Sequence, residues 1–218
     1  MLEKEEKESY CTLYLVRHGE TEWNVKKINQ GQSESSLTEK GIEQAKETAE
    51  RLKDIKFDAI FSSDLSRTQR TAEIIKLDRE LIIQTSKLLR ERSYGRFEGK
   101  HANEFRETLK EKLAKRDSLS DEKSWSFELD DDIETDEVLV TRFVLQLREI
   151  SVAYPNKTVL VVSHGGPIRM FLAKTGYAKK KDLPGGSFKN GGYVKALSDG
   201  VDFFIKEAQG IKKPEGGE

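Results

Sequence analysis

Apolar residues in this chain fall into short unbroken runs and helix-spaced stripes, separated by polar turns. Leu13, Tyr14, Leu15 and Val16 form one such run, of strand length and apolar at every position. That pattern predicts a strand, about 12–17, buried on both faces. Phe57 to Phe61, running into Ser62 and Ser63, predicts a second strand, and Leu81 to Ile83 a short third. Thr158 to Ser163 is the most hydrophobic run in the chain. Helical spacing appears between these runs. Thr38 opens a helix with Ile42, Ala45, Ala49 and Leu52 on one stripe. Gly41 in that helix costs about 1 kcal/mol against alanine, so its place suggests close packing. Ser66 is placed to cap a helix with Arg67 in its first turn. Thr135 caps a long helix, about 136–153, with Val138, Leu139, Phe143, Leu147 and Ile150 on its buried side. Another helix runs from Ile168 to Lys174 behind Pro167. Asp199-Gly200, between Tyr193–Leu197 and Val201–Lys206, is a hairpin signal.

The remaining stretches are polar. Residues 1–10 read as a frayed, charged lead-in, 25–36 as a loop, Lys179 to Lys181 as a solvated turn, and the tail from Gly210 as disordered. Residues 100–132 change character. His101 to Arg116 predicts a charged helix with Phe105, Leu109 and Leu113 on one stripe. Asp117 to Asp132 is acidic and turn-rich, with Trp125 and Phe127 its large apolar groups. The stretch reads as an insertion over the strand ends, placed to act as a lid.

Composition narrows the class. A length of 218 residues suits one large domain with a small insertion. No apolar run approaches the ~20 residues that span a bilayer. Met1 to Ser9 is mostly Glu and Lys and lacks the apolar core of a signal peptide, so the expected location is cytoplasmic. One cysteine excludes an intramolecular disulfide framework, and with three histidines there is no Cys/His spacing for structural zinc. The net charge of −1 gives no basic field for nucleic acid, so any anion site is a local gathering of cations.

The chemistry sits at two strand ends. The first strand runs into Arg17-His18-Gly19, and the 158–163 strand into His164-Gly165-Gly166-Pro167. Open α/β sheets bind ligands beyond the carboxyl ends of their strands. Gly19 permits a turn or a close approach there. His164 falls at a helix N-terminus, which attracts anions. Arg67, in a first turn, opposes the helix dipole unless an anion lies nearby. The bland alternative is a pair of strands ended by satisfied polar side chains and a surface arginine.

Taken together, Leu15-Val16-Arg17-His18-Gly19-Glu20-Thr21 with Asn24 resembles the signature of the histidine phosphatase superfamily, the phosphoglycerate mutase-like fold. Three further stretches fit: Ser63 to Thr68; Leu89 to Gly99 with Glu91, Arg92, Tyr94 and Glu98; and Ser163 to Gly165. The resemblance covers about residues 12–200. It implies an α/β fold, a three-layer α/β/α sandwich around a mostly parallel sheet. It implies that His18 is the nucleophile, that Arg17, Arg67 and His164 hold the phosphoryl group with Asn24, and that Glu91 is the general acid and base, with Glu98 the competing carboxylate. Gln30, Gly31, Arg92, Tyr94 and Gly165 are implied to meet substrate. No metal and no cofactor is required, because cations surround the reacting phosphorus. The loop departs from the family pattern: Glu34 to Thr38 lacks the usual Asp and Pro.

Two activities follow. Gln30-Gly31-Gln32 and the stretch from Leu89 to Lys100 look like phosphatases of the fructose-2,6-bisphosphatase-like group, whereas Glu91, Arg92, Tyr94 and Gly95 look like the mutases. The mutases' paired arginines for a second phosphate are not evident, Lys115-Arg116 being the nearest pair. The favoured reading is a metal-independent phosphatase acting on a small phosphorylated metabolite through phosphohistidine. The alternatives are a phosphoglycerate mutase and a non-catalytic phosphate-recognition module. The partner in each case is a phosphorylated small molecule, with neither nucleic acid nor membrane involved.

Overall fold

The computed structural model describes residues 9–211. Most of the charged lead-in and the tail after 211 lie outside them. Six strands, β1 (Cys11–Arg17), β2 (Ala59–Ser63), β3 (Ile83–Ser86), β4 (Thr158–Ser163), β5 (Phe188–Ser198) and β6 (Phe203–Ile211), form one sheet in the order β3-β2-β4-β1-β5-β6. The β1–β4, β4–β2 and β2–β3 pairs are parallel, while β5 and β6 add an antiparallel edge. The helices are α1 (Glu22–Val25), α2 (Glu39–Arg51), α3 (Ser66–Lys76), α4 (Ala102–Thr108), α5 (Lys110–Asp117), α6 (Asp121–Trp125), α7 (Asp136–Ala153) and α8 (Gly165–Lys174).

Alternation along the strands sorts these helices into two layers. Leu13, Leu15, Val159 and Val161 face α7 and α8, packing on Phe143, Leu147, Ile150, Ile168 and Phe171. Tyr14, Val16, Leu160 and Val162 face the other way, onto Ala49 and Leu52 at the end of α2 and onto Ala72 and Ile75 of α3. Both faces are covered, which is why β1 and β4 read as unbroken apolar runs. The result is the three-layer α/β/α sandwich. The 94–133 stretch builds a small core of its own from Phe97, Leu109, Leu129 and Ile133, with Phe105 and Phe127 against it.

Caps explain several helix starts. The Thr38 and Thr135 side chains accept from the backbone N–H groups of Gly41 and Val138. Gly41 meets the backbone of Gly19 and Glu20. A Cβ on Gly41 would overlap the Glu20 carbonyl, and a Cβ on Gly19 would overlap that of Gly41. The start of α2 therefore packs directly on the turn that follows β1.

Several sequence expectations need correction. Ser66 is the first residue of α3, not its cap; its N–H and hydroxyl bond to the Glu34 carboxylate. Glu34 thus supplies the anion that offsets Arg67 at this helix start. The third strand begins at Ile83, because Leu81 and Ile82 precede the pairing with β2 and Ile82 is exposed. The helix expected from His101 to Arg116 is two, meeting at Leu109, with the His101 ring as the cap of α4. Val138 is exposed on α7. The last helix starts at Gly165 rather than Ile168, with His164 at its cap position. Lys180 is not a solvated lysine: it pairs with Asp136 and donates to Ser124. Gly210 and Ile211 belong to β6. No helix among the described residues is long and apolar enough to cross a membrane.

Candidate active site

The β1–β4 register pairs Arg17 with Ser163, so the next residue on each strand is a histidine. The His18 N–H donates to the Ser163 carbonyl at 3.0 Å. The two rings lie with centroids 5.2 Å apart, tilted by 66°. Residues 146 positions apart in the chain thus meet because two parallel strands end level.

His18 is buried, and its Nδ1 lies 2.7 Å from the carbonyl of Gly19. A carbonyl can only accept, so Nδ1 carries the proton and Nε2 keeps its lone pair. Burial first, then Arg67 and Arg17, hold the ring's pKa well below 6.5. His18 is therefore a neutral imidazole. His164 is pushed in the same direction by burial, Arg67 and His18. Neither of its ring nitrogens has a hydrogen-bond partner among the described residues.

Two arginines flank the pair. Arg67 is 1 % exposed, and its Nη1 and Nη2 donate to the carbonyls of Ser33 and Gly31, both at 2.7 Å. Gly31 sits at φ +53°, in the left-handed region, so that its carbonyl meets this fork. Arg17 donates from Nη1 to the Phe188 carbonyl. Burial lowers its pKa to about 10, against the opposing pull of Glu91. Both guanidiniums stay charged at neutral pH, and the Nε of each is buried with no hydrogen-bond partner among the described residues. Gly165 lies against the Arg17 guanidinium, and a Cβ there would push on it, meeting its Nε at 3.1 Å.

Arg17, His18 and Arg67 line a cleft of about 320 Å³ together with Asn24, Gln30, Gly31, Glu91, Tyr94, Gly165 and Gly166. Of the residues expected at a site, Arg17, His18, Asn24, Gln30, Gly31, Arg67, Glu91, Tyr94 and Gly165 come together there, and His164 packs beside His18. Glu91 Oε2 accepts from Gly166 N–H at 3.0 Å and Oε1 from Arg92 N–H at 2.8 Å. Burial raises the Tyr94 phenol above its ordinary value. The Gln30 side chain is buried, and its Oε1 has no hydrogen-bond partner among the described residues. Asn24 caps α1 reciprocally with Thr21, and its Oδ1 also accepts from Asn190.

Arg92 is the exception. Its side chain turns away from the cleft to pair with Asp136 and to donate to the Glu134 carbonyl. Motif spacing places the residue on the loop but says nothing of which way it faces. Glu98 also stands apart. Its Oε1 accepts from the backbone of Gln32 and Tyr94, and its Oε2 from the Ser33 hydroxyl, stapling two loops.

Sequence reasoning missed Arg169 and Asn190. Arg169 lines the cleft one helical turn after Gly165, a spacing that could have flagged it. Asn190 donates to the His18 carbonyl, a contact 172 positions long with no local signal. Lys27, Trp23, Ala102 and Arg106 also line the cleft.

A pH prediction follows from the buried pair. Unfolded, both histidines titrate near 6.5; folded, both do so lower. As pH falls below 6.5 the unfolded chain takes up more protons, so stability falls, by up to ~2.7 kcal/mol per pH unit for two groups. That stability is fully present above 6.5. Urea midpoints between pH 7 and pH 5 should show the slope, and His164→Asn should remove about half of it. A flat profile would contradict a neutral pair.

The family model described as the histidine phosphatase superfamily (branch 1) matches residues 13–207. The uncharacterized phosphatase PhoE of Bacillus subtilis (strain 168) is 38% identical over 160 residues, 73% of this chain and 75% of that protein. The probable phosphoglycerate mutase GpmB of Cronobacter sakazakii is 49% identical over 89 residues, 41% of each chain. Among solved structures, Bacillus stearothermophilus YhfR superposes with a TM-score of 0.80 at 28% identity, covering 93% of this chain and 98% of its own.

Proposed function

The chain belongs to the histidine phosphatase superfamily, and from that premise we propose that it is a metal-independent phosphatase hydrolysing a small phosphorylated metabolite through a phosphohistidine. One observation carries the reading: a neutral histidine whose Nε2 keeps its lone pair lies beside two arginines, the buried Arg67 and the half-buried Arg17, whose Nε groups have no hydrogen-bond partner among the described residues. Phosphoryl transfer asks chiefly for positioning and charge stabilisation around a nucleophile.

The steps balance as follows. His18 Nε2 forms a bond to phosphorus while the bond to the ester oxygen breaks, and Glu91 passes its proton to that oxygen. Glu91, now a carboxylate, takes a proton from water. The water oxygen bonds to phosphorus, the P–N bond breaks, and phosphate leaves. Arg17, Arg67, His164 and Asn24 hold the phosphoryl oxygens throughout, the arginines through planar N–H groups suited to them. Trp23, Ile28, Tyr94, Ala102 and Arg106 also line the cleft, so the start of the insertion contributes to its wall.

The mutase reading draws on the likeness to GpmB over part of the chain. Arg92, which supported it in the sequence, is occupied by Asp136. Phosphate release from nitrophenyl phosphate and a metabolite panel, in excess EDTA, tests the proposal. Phosphorus NMR of 3-phosphoglycerate with catalytic 2,3-bisphosphoglycerate should show free phosphate appearing ahead of 2-phosphoglycerate. The opposite order would make the mutase the better reading.

A further inference from the structure

Glu91 lies on a loop between two short 3-10 turns, Lys87–Leu89 and Gly95–Phe97, outside any α-helix or strand. The loop is held by the start of α7. Arg142 donates from Nη1 to the carbonyls of Leu88 at 2.8 Å and Arg90 at 2.7 Å, and from Nη2 to that of Glu91 at 2.9 Å. The guanidinium is fixed in turn by Glu134, through Nε to Oε1 at 2.6 Å and Nη2 to Oε2 at 2.9 Å. Five bonds match the five N–H donors of an arginine. Glu134 also grips the loop itself: its Oε2 accepts from Ser93 N–H, and its own N–H donates to the Ser93 carbonyl. Both side chains are largely buried, at 15 % and 10 % exposure. Arg142 is not among the residues lining the cleft.

We infer that Arg142, locked by Glu134, is the positioning residue for Glu91: it gathers the carbonyls of Leu88, Arg90 and Glu91 and so fixes where the carboxylate stands in the cleft. The inference rests on the reading of Glu91 as general acid and base. An ordinary ion pair would need one or two of these bonds. Spending every donor on the 88–91 backbone and on its own clamp makes sense if the position of that backbone matters. Proton transfer requires hydrogen-bond reach, and a misplacement of about 1 Å costs on the order of 10²-fold in rate. Lysine cannot replace the fork, because a compact ammonium does not span three carbonyls and a carboxylate at once.

The test compares Arg142→Lys, and Glu134→Gln should Arg142→Lys fold poorly, with wild type on two substrates. Turnover of an alkyl phosphate, which needs the proton, should fall roughly 10- to 100-fold. The burst of nitrophenolate from nitrophenyl phosphate, and the Kd for vanadate, should stay within about threefold. In a Glu91→Gln background the same substitution should add less than about threefold, because the group it positions is already disabled. Equal losses on both substrates with weakened vanadate binding would reduce Arg142 to a structural role and overturn the inference. So would full additivity with Glu91→Gln, or no loss at all. A Glu91→Gln enzyme as fast as wild type on alkyl phosphates would remove the Glu91 reading and the positioning role together. Loss in Glu91→Gln with none in Arg142→Lys would remove the positioning role alone.

Discussion

His18→Ala should lower phosphate release by roughly 10⁴-fold or more, because it removes the atom that bonds to phosphorus. Neither arginine depends on the ring for its place. Arg67 is held by the Gly31 and Ser33 carbonyls, and Arg17 by that of Phe188. Among the described residues His18 itself makes one side-chain hydrogen bond, to the carbonyl of the next residue. The variant should therefore fold and keep an anion pocket, with vanadate affinity reduced far less than turnover. No acid-labile, base-stable phosphate should form on it after rapid quench with substrate. Turnover within tenfold of wild type would exclude His18 as nucleophile, and loss of vanadate binding in parallel would point to a collapsed pocket instead.

Glu91→Gln is the second large effect, and it separates the two half-reactions. Alkyl phosphate turnover should drop by about 10²–10⁴, the usual worth of a general acid and base. Nitrophenyl phosphate has a leaving group that needs no proton, so its first step should survive while the attack by water slows. Phosphohistidine should then accumulate. The amide is not a perfect mimic. Glu91 accepts one backbone N–H on each oxygen, from Gly166 and Arg92, and glutamine offers one acceptor for the two. An unmatched donor costs about 1–3 kcal/mol, so thermal unfolding belongs beside the kinetics. Glu98→Gln is the control. Glu98 staples Gln32, Ser33 and Tyr94 in place, so its loss should loosen the loop and weaken binding on all substrates alike. If the dependence on leaving group vanished in Glu98→Gln and persisted in Glu91→Gln, the two carboxylates would exchange roles.

Strands β1 and β4 and helices α2 and α7 were legible because burial imposes its period on sequence. β1 and β4 are covered on both faces and read as unbroken apolar runs. β3 was misplaced by its neighbours: at the sheet edge Ile83 and Ser86 are only half-buried and Gln84 and Thr85 are exposed, while apolar Ile82 beside them is exposed too. The paired histidines were legible because each directly follows such a run, and the sheet brings them level. Arg92 was not, since its direction depends on Asp136, on a helix 44 positions away. Lys180, in a run of three lysines that reads as a solvated turn, hides its pairing for the same reason, its partner being that same aspartate. Contacts that arise only when distant segments meet, such as Asn190 on the His18 carbonyl, leave no periodic trace in either segment.

The level ending of β1 and β4 also bears on how this chain acquires activity. Strands that are neighbours in the sheet but distant in sequence must close a long loop before any contact rewards them, which makes their pairing slow. The helices can form from local contacts well before that closure. During refolding, recovered helical signal should thus run ahead of recovered catalysis, because the nucleophile and its partner have no common location until Arg17 lies opposite Ser163. A slip of one residue between these two strands would turn their side chains to opposite layers and separate the rings in the same movement. Turnover is for this reason a stricter gauge of native strand pairing than any spectroscopic measure of secondary structure.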